Sequence, residues 1–242
     1  MNHIILFGAS GGIGRALLAE CLSRYSNATI YLPTRSPLPT IECGPNQTIQ
    51  SFNWTPNEAK SYTAIAEHLL NQGIALDLCL CALGALHSRT YKPEKSLSQV
   101  SAEQFIWSHQ INTLYPTLII QHFGPLMTRQ APGILGVLSA RVGSISDNQL
   151  GGWYSYRAHK SALNMVIKTA SIELKRTHKQ LALIGIHPGT VDTALSAPFK
   201  GGAQRRFSAQ ESANHIFNHI IDVVTPKQSG LVLDWAGKVV PA

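Results

Sequence analysis

HIILFGASGGIGRALLAECLSRY, residues 3–25, decides the fold. Residues 3–7 form a short apolar run, the pattern of a strand buried on both faces of a parallel sheet. GASGGIG follows at 8–14, and RALLAECLSRY then sets Ala and Leu at helical spacing. A strand, a glycine loop and a helix N-terminus in that order make an anion site. Glycines let the backbone approach a pyrophosphate, and the helix end offers free N–H groups and a positive dipole end. The spacing, Gly8, Gly12 and Gly14, departs from the commoner dinucleotide fingerprint, and a glycine loop alone can equally be a tight turn. The strand before it and the helix after it favour a cofactor.

Working outward, ATIYL at 28–32 reads as the second strand and ends in PTRSP. A cofactor with a free ribose 2′-hydroxyl calls for Asp or Glu near the end of this strand. None occurs between Glu20 and Glu42. Arg35 stands there instead, able to meet a 2′-phosphate with charge and a forked donor set; the plainer alternative is a solvated loop arginine. TIQSFNW at 48–54 reads as a third strand with Asn53 at its end, 57–72 as a helix, and ALDLCLCALGA at 75–85 as a fourth buried strand ending at Gly84. Residues 101–123 read as one long helix with Ser101, Glu103 and Gln104 as N-terminal capping residues. Pro116 lies inside it and has no N–H for the carbonyl of Asn112, which leaves either an acceptor for water or a simple kink. GILGVLS at 133–139 is the fifth strand, followed by Ser144 and Tyr156. LALIGIHPGTVDT at 181–193 is the sixth strand and its loop. Residues 194–210 lack periodicity and suit a lid, with Phe199 and Phe207 as pocket or core residues. A helix at 211–224 and a strand, GLVLDW, at 230–235 close the chain. Alternating strands and helices give a doubly wound parallel α/β sheet, a single domain over 1–242.

The chemistry centres on GGWYSYRAHKSALNMVIK, residues 151–168. Tyr156 and Lys160 stand four residues apart in a segment of helical composition, so they share one face about a turn apart. A lysine charge there favours phenolate and draws a tyrosine from its usual ~10 towards working pH. The phenol could then give a proton to a carbonyl oxygen or take one from an alcohol. Alone, the pair is also what an ordinary surface helix shows.

Composition agrees with a folded, packed chain: hydrophobic content is 44% and charged content only 14% over 242 residues. No apolar run reaches the ~18 residues of a membrane span. MNHIILFGAS lacks the build of a secretory signal, so the expected compartment is the cytoplasm. Cys21, Cys43, Cys79 and Cys81 fit free thiols there; Cys79 and Cys81 share a strand face too closely to bridge, and no Cys/His set completes a zinc pattern. The formal charge of +7 is scattered, with Arg205–Arg206 its densest pair, so it suits a multiply phosphorylated ligand better than nucleic acid.

With these motifs in order, the chain resembles the short-chain dehydrogenase/reductase family over essentially its whole length. The matching elements are the glycine loop at 8–14, Gly84, Asn112, Tyr156 with Lys160, and Pro188–Gly189 with Thr193. Within the family, VGSISDNQLGGWYSYR and SGLVLDWAGK are similar to carbonyl reductases related to sniffer and to bacterial C-factor proteins. The resemblance implies a Rossmann fold, an NADP(H) cofactor and a small carbonyl or alcohol substrate. It makes Tyr156 the general acid and Lys160 the residue that lowers its pKa and binds the nicotinamide ribose. Asn112 would hold, through its main-chain carbonyl, a water that feeds Lys160. Gly8, Ser10, Gly11, Gly12, Ile13 and Gly14 would cradle the pyrophosphate, and Arg35 would take the 2′-phosphate. Asn53 and Trp54 would lie by the adenine, Gly84 would allow close cofactor approach, and Pro188, Gly189, Val191 and Thr193 would border the nicotinamide. A homodimer or homotetramer is implied, paired through the helices carrying Asn112 and Tyr156.

Two departures stand out. Cys81-Ala82-Leu83-Gly84 replaces the family's Asn-Asn-Ala-Gly or Asn-Ala-Gly. The usual serine pair after the fifth strand reads Ser139-Ala140, which leaves Ser139, or Ser144 in the next loop, to steady the substrate carbonyl. The expected activity is NADPH-dependent reduction of an aldehyde or ketone. A weakly catalytic NADP(H)-binding signalling protein of C-factor type is the rival. A nucleotide-sugar epimerase or dehydratase ranks last, since only about fifty residues follow Thr193.

Overall fold

The computed structural model describes residues 1–36, 38, 40–196 and 206–242. Its strands are β1 (His3–Phe7), β2 (Thr29–Thr34), β3 (Thr48–Asn53), β4 (Leu78–Cys81), β5 (Gly133–Leu138), β6 (Leu181–His187) and β7 (Val232–Asp234). All pair in parallel, in the order β3-β2-β1-β4-β5-β6-β7. Helices α1 (Gly12–Arg24), α2 (Ala59–Asn71), α3 (Ala102–His109), α4 (Tyr115–Phe123), α5 (Tyr154–Leu174) and α6 (Ala209–Ile216) cover its two faces. This is the Rossmann-type, doubly wound architecture the alternation predicted.

The strand period of two divides the interior. Ile4 and Leu6 face a core with Leu17 and Cys21 of α1 and Ala213 and Ile216 of α6. Ile5 and Phe7, one residue out of step, face Tyr62 and Leu69 of α2, Ile119 and Phe123 of α4, and Leu163 and Ile167 of α5. With both sheet faces covered, the strands need no polar alternation, which is why they read as unbroken apolar runs. Strand order reverses beside β1, between β2 and β4. The chains leaving the C-terminal ends of β1 and β4 diverge there and open a crevice.

Two helical readings need correction. The single helix expected at 101–123 is α3 and α4 joined by a π-helical segment, Gln110–Leu114, in which the Tyr115 N–H bonds the Gln110 carbonyl. The extra residue in that turn sets Pro116 in the first turn of α4, where its missing N–H costs nothing. The last helix likewise passes from α6 into a π-helical segment at Phe217–Ile221. Its start is fixed by a capping box between Ser208 and Glu211. Phe207 is buried, edge-on to Trp235, so it is a core residue. Phe199 and most of the expected lid at 194–210 lie outside the described residues.

Candidate active site

At the carboxyl ends of the strands lies a cavity of ≈ 1140 Å³. That is slightly above the usual ~300–1,000 Å³ for small-molecule sites. Its walls bring together Gly11, Gly12, Ile13, Gly14, Gly84, Ser139, Tyr156, Lys160, Pro188, Gly189, Val191 and Thr193. These come from five stretches of the chain, and the sequence analysis had singled out every one.

The glycine-loop wall is built from backbone. Gly8 holds φ +87 while its carbonyl accepts from the Gly11 N–H at 3.0 Å, which turns β1 sharply into α1. A Cβ on Gly14 would lie 2.0 Å from the Gly8 carbonyl oxygen, so only glycine lets the helix start this close to the turn. On Gly12 it would lie 2.9 Å from Thr193 Cγ2, which brings the loop after β6 against the loop after β1. No side chain caps α1 and no acid sits in its first turn, so its leading N–H groups suit an anion. Ser10 is exposed and uses its carbonyl to accept from Arg15.

The adenine-side expectations divide. Arg35 and Asn53 end up at the exposed ends of the neighbouring strands β2 and β3, where Thr34 pairs with Asn53. Both are outside the cavity wall. Trp54 is buried, with its indole edge-on to Phe7 and Tyr62, and its side chain is part of the core. The sheet alternation that exposes Asn53 turns Trp54 inwards.

Tyr156 lies in the first turn of α5, behind an unusual entry. Gly151, Gly152 and Trp153 hold φ +64, +64 and +53 in succession. Trp153 is not glycine, so this backbone must be held from outside. Its N–H donates to the Glu94 carbonyl at 2.5 Å. Arg157 Nε donates to the carbonyls of Gly151 and Gly152 at 3.2 and 3.0 Å. The buried Glu94 carboxylate accepts from the Ser155 N–H and hydroxyl, which puts a negative charge at the positive end of α5. The sequence analysis missed Glu94 because sixty-one positions separate it from Ser155. No local pattern marks such a contact.

Lys160 is fully buried, its Nζ donating to the Leu138 carbonyl at 2.9 Å and lying 5.8 Å from the Tyr156 ring centroid. Burial pushes the Tyr156 phenol up to about 12 and the Lys160 ammonium down to about 8. The expected lowering of the tyrosine by its lysine is therefore not present in the protein alone. Desolvation drives both groups towards neutrality, and the ammonium is tied to a carbonyl instead of the phenol oxygen.

Asn112 is completely buried behind this pair. Its amide donates to the Ala85 carbonyl at 2.8 Å and to the Ser108 carbonyl and hydroxyl, and its oxygen accepts the Ala85 N–H at 3.0 Å. A Cβ on Gly84 would lie 3.5 Å from both Asn112 Oδ1 and Lys160 Nζ, so these three residues meet at one point. The side chain of Asn112 thus fixes the loop after β4, where sequence reasoning had looked only at its carbonyl. Cys81, at the head of that loop, is buried beside the Lys160 charge.

The two candidate serines are now distinguishable. Ser139 lines the cavity, but its hydroxyl donates to Asn164 Oδ1 at 2.5 Å. Ser144 is outside the wall, accepting the Asp147 N–H and donating to the Ala242 carbonyl. Ala140 takes its place in the wall with no hydroxyl to offer.

A nucleotide-sized crevice at the switch point of a parallel sheet, facing a tyrosine and a lysine one turn apart, defines a dinucleotide-dependent oxidoreductase of the single-domain kind. The model of the short chain dehydrogenase family matches residues 2–202, and the chain belongs to that family. It is 31% identical over 241 residues to 1-hydroxy-2-glutathionyl-2-methyl-3-butene dehydrogenase of Rhodococcus sp., covering 95% of each chain. It is 29% identical over 146 residues to C-signal of Myxococcus xanthus, covering 60% of this chain and 83% of that one. Among solved structures, the NADPH-bound carbonyl reductase from chicken fatty liver superposes with a TM-score of 0.80 at 21% identity, covering 100% of this chain and 94% of that one.

Proposed function

We propose that this protein is a cytoplasmic, NADPH-dependent reductase of aldehydes or ketones with Tyr156 as its proton donor. The observation that carries the reading is the convergence of Tyr156 and Lys160 with the glycine loop and the Pro188–Thr193 segment on one cavity. The residues present fit a dinucleotide. The uncapped start of α1 and the glycine contacts at Gly12 and Gly14 suit a pyrophosphate, and Pro188, Gly189, Val191 and Thr193 suit the nicotinamide end; Arg35, exposed just after β2 and outside the cavity wall, is the cation offered to a 2′-phosphate. When bound, the cofactor supplies the hydride. Tyr156 gives its proton to the carbonyl oxygen, and a phenol pushed up to about 12 is fully protonated for that task at neutral pH. The Lys160 ammonium beside the ring offsets the phenolate left behind, and Asn112 holds the Gly84–Ala85 loop against it.

The Rhodococcus relative and the chicken reductase, by their names, work on an alcohol and a carbonyl, the two ends of this one reaction. Exposed Ile106, Met165 and Ile172 on α3 and α5 support a homo-oligomer. The test is consumption of NADPH and NADH against a panel of aldehydes and ketones. We expect NADPH to be preferred, and Arg35→Ala to raise the KM for NADPH ~10-fold with NADH unchanged, the size of one charged hydrogen bond. Equal use of both cofactors by the wild type contradicts the assignment of Arg35.

A second reading, an NADP(H)-binding signalling protein, is favoured by Ala140 and by the similarity to C-signal. Tight NADPH binding with no carbonyl reduced across the panel would put this reading ahead of the reductase.

A further inference from the structure

Helix α5 begins without a cap of its own. Trp153 stands at its N-cap position with left-handed backbone, no side chain of that residue caps the helix, and no acid lies in the first turn. An indole has no acceptor oxygen, so Trp153 cannot satisfy the N–H groups that a helix leaves free at its start. Tyr156 is the third residue of this helix. Helix ends fray first, so the position of the phenol depends on whatever holds that turn.

Glu94 holds it. Its carboxylate accepts the Ser155 N–H at 3.3 Å and the Ser155 hydroxyl. The N–H of the second helical residue is a donor that an N-cap side chain ordinarily takes. The Glu94 carbonyl also accepts the Trp153 N–H at 2.5 Å, so one residue grips the chain on both sides of Tyr154. The segment that carries Glu94 is itself fixed. Gln104, buried on α3, donates to the Lys92 carbonyl at 2.8 Å, and the Lys95 N–H donates to Gln99 Oε1 at 2.7 Å. Glu94 is only 1% exposed, and among the described residues it takes part in no ion pair. A carboxylate buried without a counter-ion is costly unless it is well hydrogen-bonded. The hydrogen bonds of this one go to Ser155, at the positive end of α5.

We propose that Glu94 is a positioning residue for the reaction, a helix cap supplied from 61 positions upstream that fixes the first turn of α5 and with it the Tyr156 phenol. The inference rests on the reductase reading above. Glu94 is not part of the cavity wall, so it acts through Tyr156 and not on the substrate. A misplacement of ~1 Å at a reacting group costs on the order of 10²-fold in rate, and a loosened first turn is enough to produce one.

The experiment compares wild type, Glu94→Ala, Glu94→Gln and Leu69→Ala, with NADPH and 4-nitrobenzaldehyde as the probe. NADPH affinity is followed by its fluorescence, and amide hydrogen exchange is read at residues 154–158 and in the sheet. Leu69, buried on α2 and outside the cavity wall, is the control for lost stability alone. We expect Glu94→Ala to lower kcat by ~10–10²-fold with NADPH affinity within ~3-fold of wild type. Exchange should quicken at 154–158 while the strands keep their protection. Glutamine keeps an acceptor for the Ser155 N–H, so Glu94→Gln should regain at least ~5-fold, about one hydrogen bond. Leu69→Ala should lower Tm and keep kcat within ~3-fold, because distant sites act independently. Should Glu94→Ala fail to fold, Ser155→Ala, which deletes the hydroxyl bond alone, takes its place with a loss of ~5-fold. The proposal is overturned, and the reductase stands, if the alanine variant used is within ~2-fold of wild type or no slower than Leu69→Ala. A glutamine variant as slow as Glu94→Ala, or exchange that rises equally in α5 and the sheet, overturns it too. A wild type that binds NADPH and reduces no probe overturns both.

Discussion

The two ends of the cavity are made of different materials. The end at β1 is backbone: glycines at 8, 11, 12 and 14 and the bare start of α1, with backbone contacts that exclude a Cβ at Gly8 and Gly14. The end at β5 and β6 is side chain: Ser139, Ala140, Tyr156, Lys160 and His187, each shaped by what its neighbours already bind. Backbone sites tolerate no substitution but need no partners. Side-chain sites can exchange roles, and here Ala140 stands where the family's serine is expected while the Ser139 hydroxyl is bound to Asn164.

The difference can be broken first at its rigid end. Gly14→Ala places a methyl carbon 2.0 Å from the Gly8 carbonyl oxygen, a backbone clash that a side-chain rotation cannot relieve. We expect a loss of ~3 kcal/mol or more and a Tm lower by ~6–12 °C, measured by thermal melting, together with loss of NADPH binding. Unchanged affinity in a folded variant would show that the turn at Gly8 is not part of the cradle.

Between the two ends sits Asn112. Asn112→Ala removes the side-chain partners of the part-buried Ala85 N–H and carbonyl, at ~1 kcal/mol for each lost hydrogen bond. It should lower Tm by several degrees and depress kcat more than NADPH affinity, because the freed loop adjoins Lys160. An equal fall in both would assign Asn112 to cofactor binding alone.

The smallest effect concerns acid. His159 and His187 are both pushed from 6.5 down to about 4 by burial. Between pH 6.5 and 4 the unfolded chain therefore binds more protons than the folded one, and stability falls as pH falls through that window. Tm should decline from pH 6.5 towards 4 and decline less in His159→Gln. A flat profile would mean that neither ring is held neutral.

These materials also explain what could be read in advance. Glycine loop, strand runs and the Tyr156–Lys160 spacing are local patterns, so one end of the cavity and the sheet could be read from the chain directly. The π-helical segment at Gln110–Leu114 could not, because one extra residue in a helical turn leaves composition and capping unchanged. Trp54 was placed by its neighbour Asn53, although adjacent strand residues face opposite ways. Glu94 and Asn164 act through contacts across 61 and 25 positions, to Ser155 and Ser139 respectively, and such contacts exist only once the sheet has formed. The upward push on the Tyr156 phenol was hidden for the same reason, since spacing sets the distance to Lys160 but not how far each group is desolvated.

The most direct test of the account is the kcat of Tyr156→Phe for carbonyl reduction with NADPH, beside its NADPH affinity. Loss of the phenolic proton should lower kcat by ~10²–10⁴-fold, the usual worth of a general acid, with cofactor affinity within a few-fold of wild type. A phenylalanine variant that turns over at the wild-type rate would contradict it.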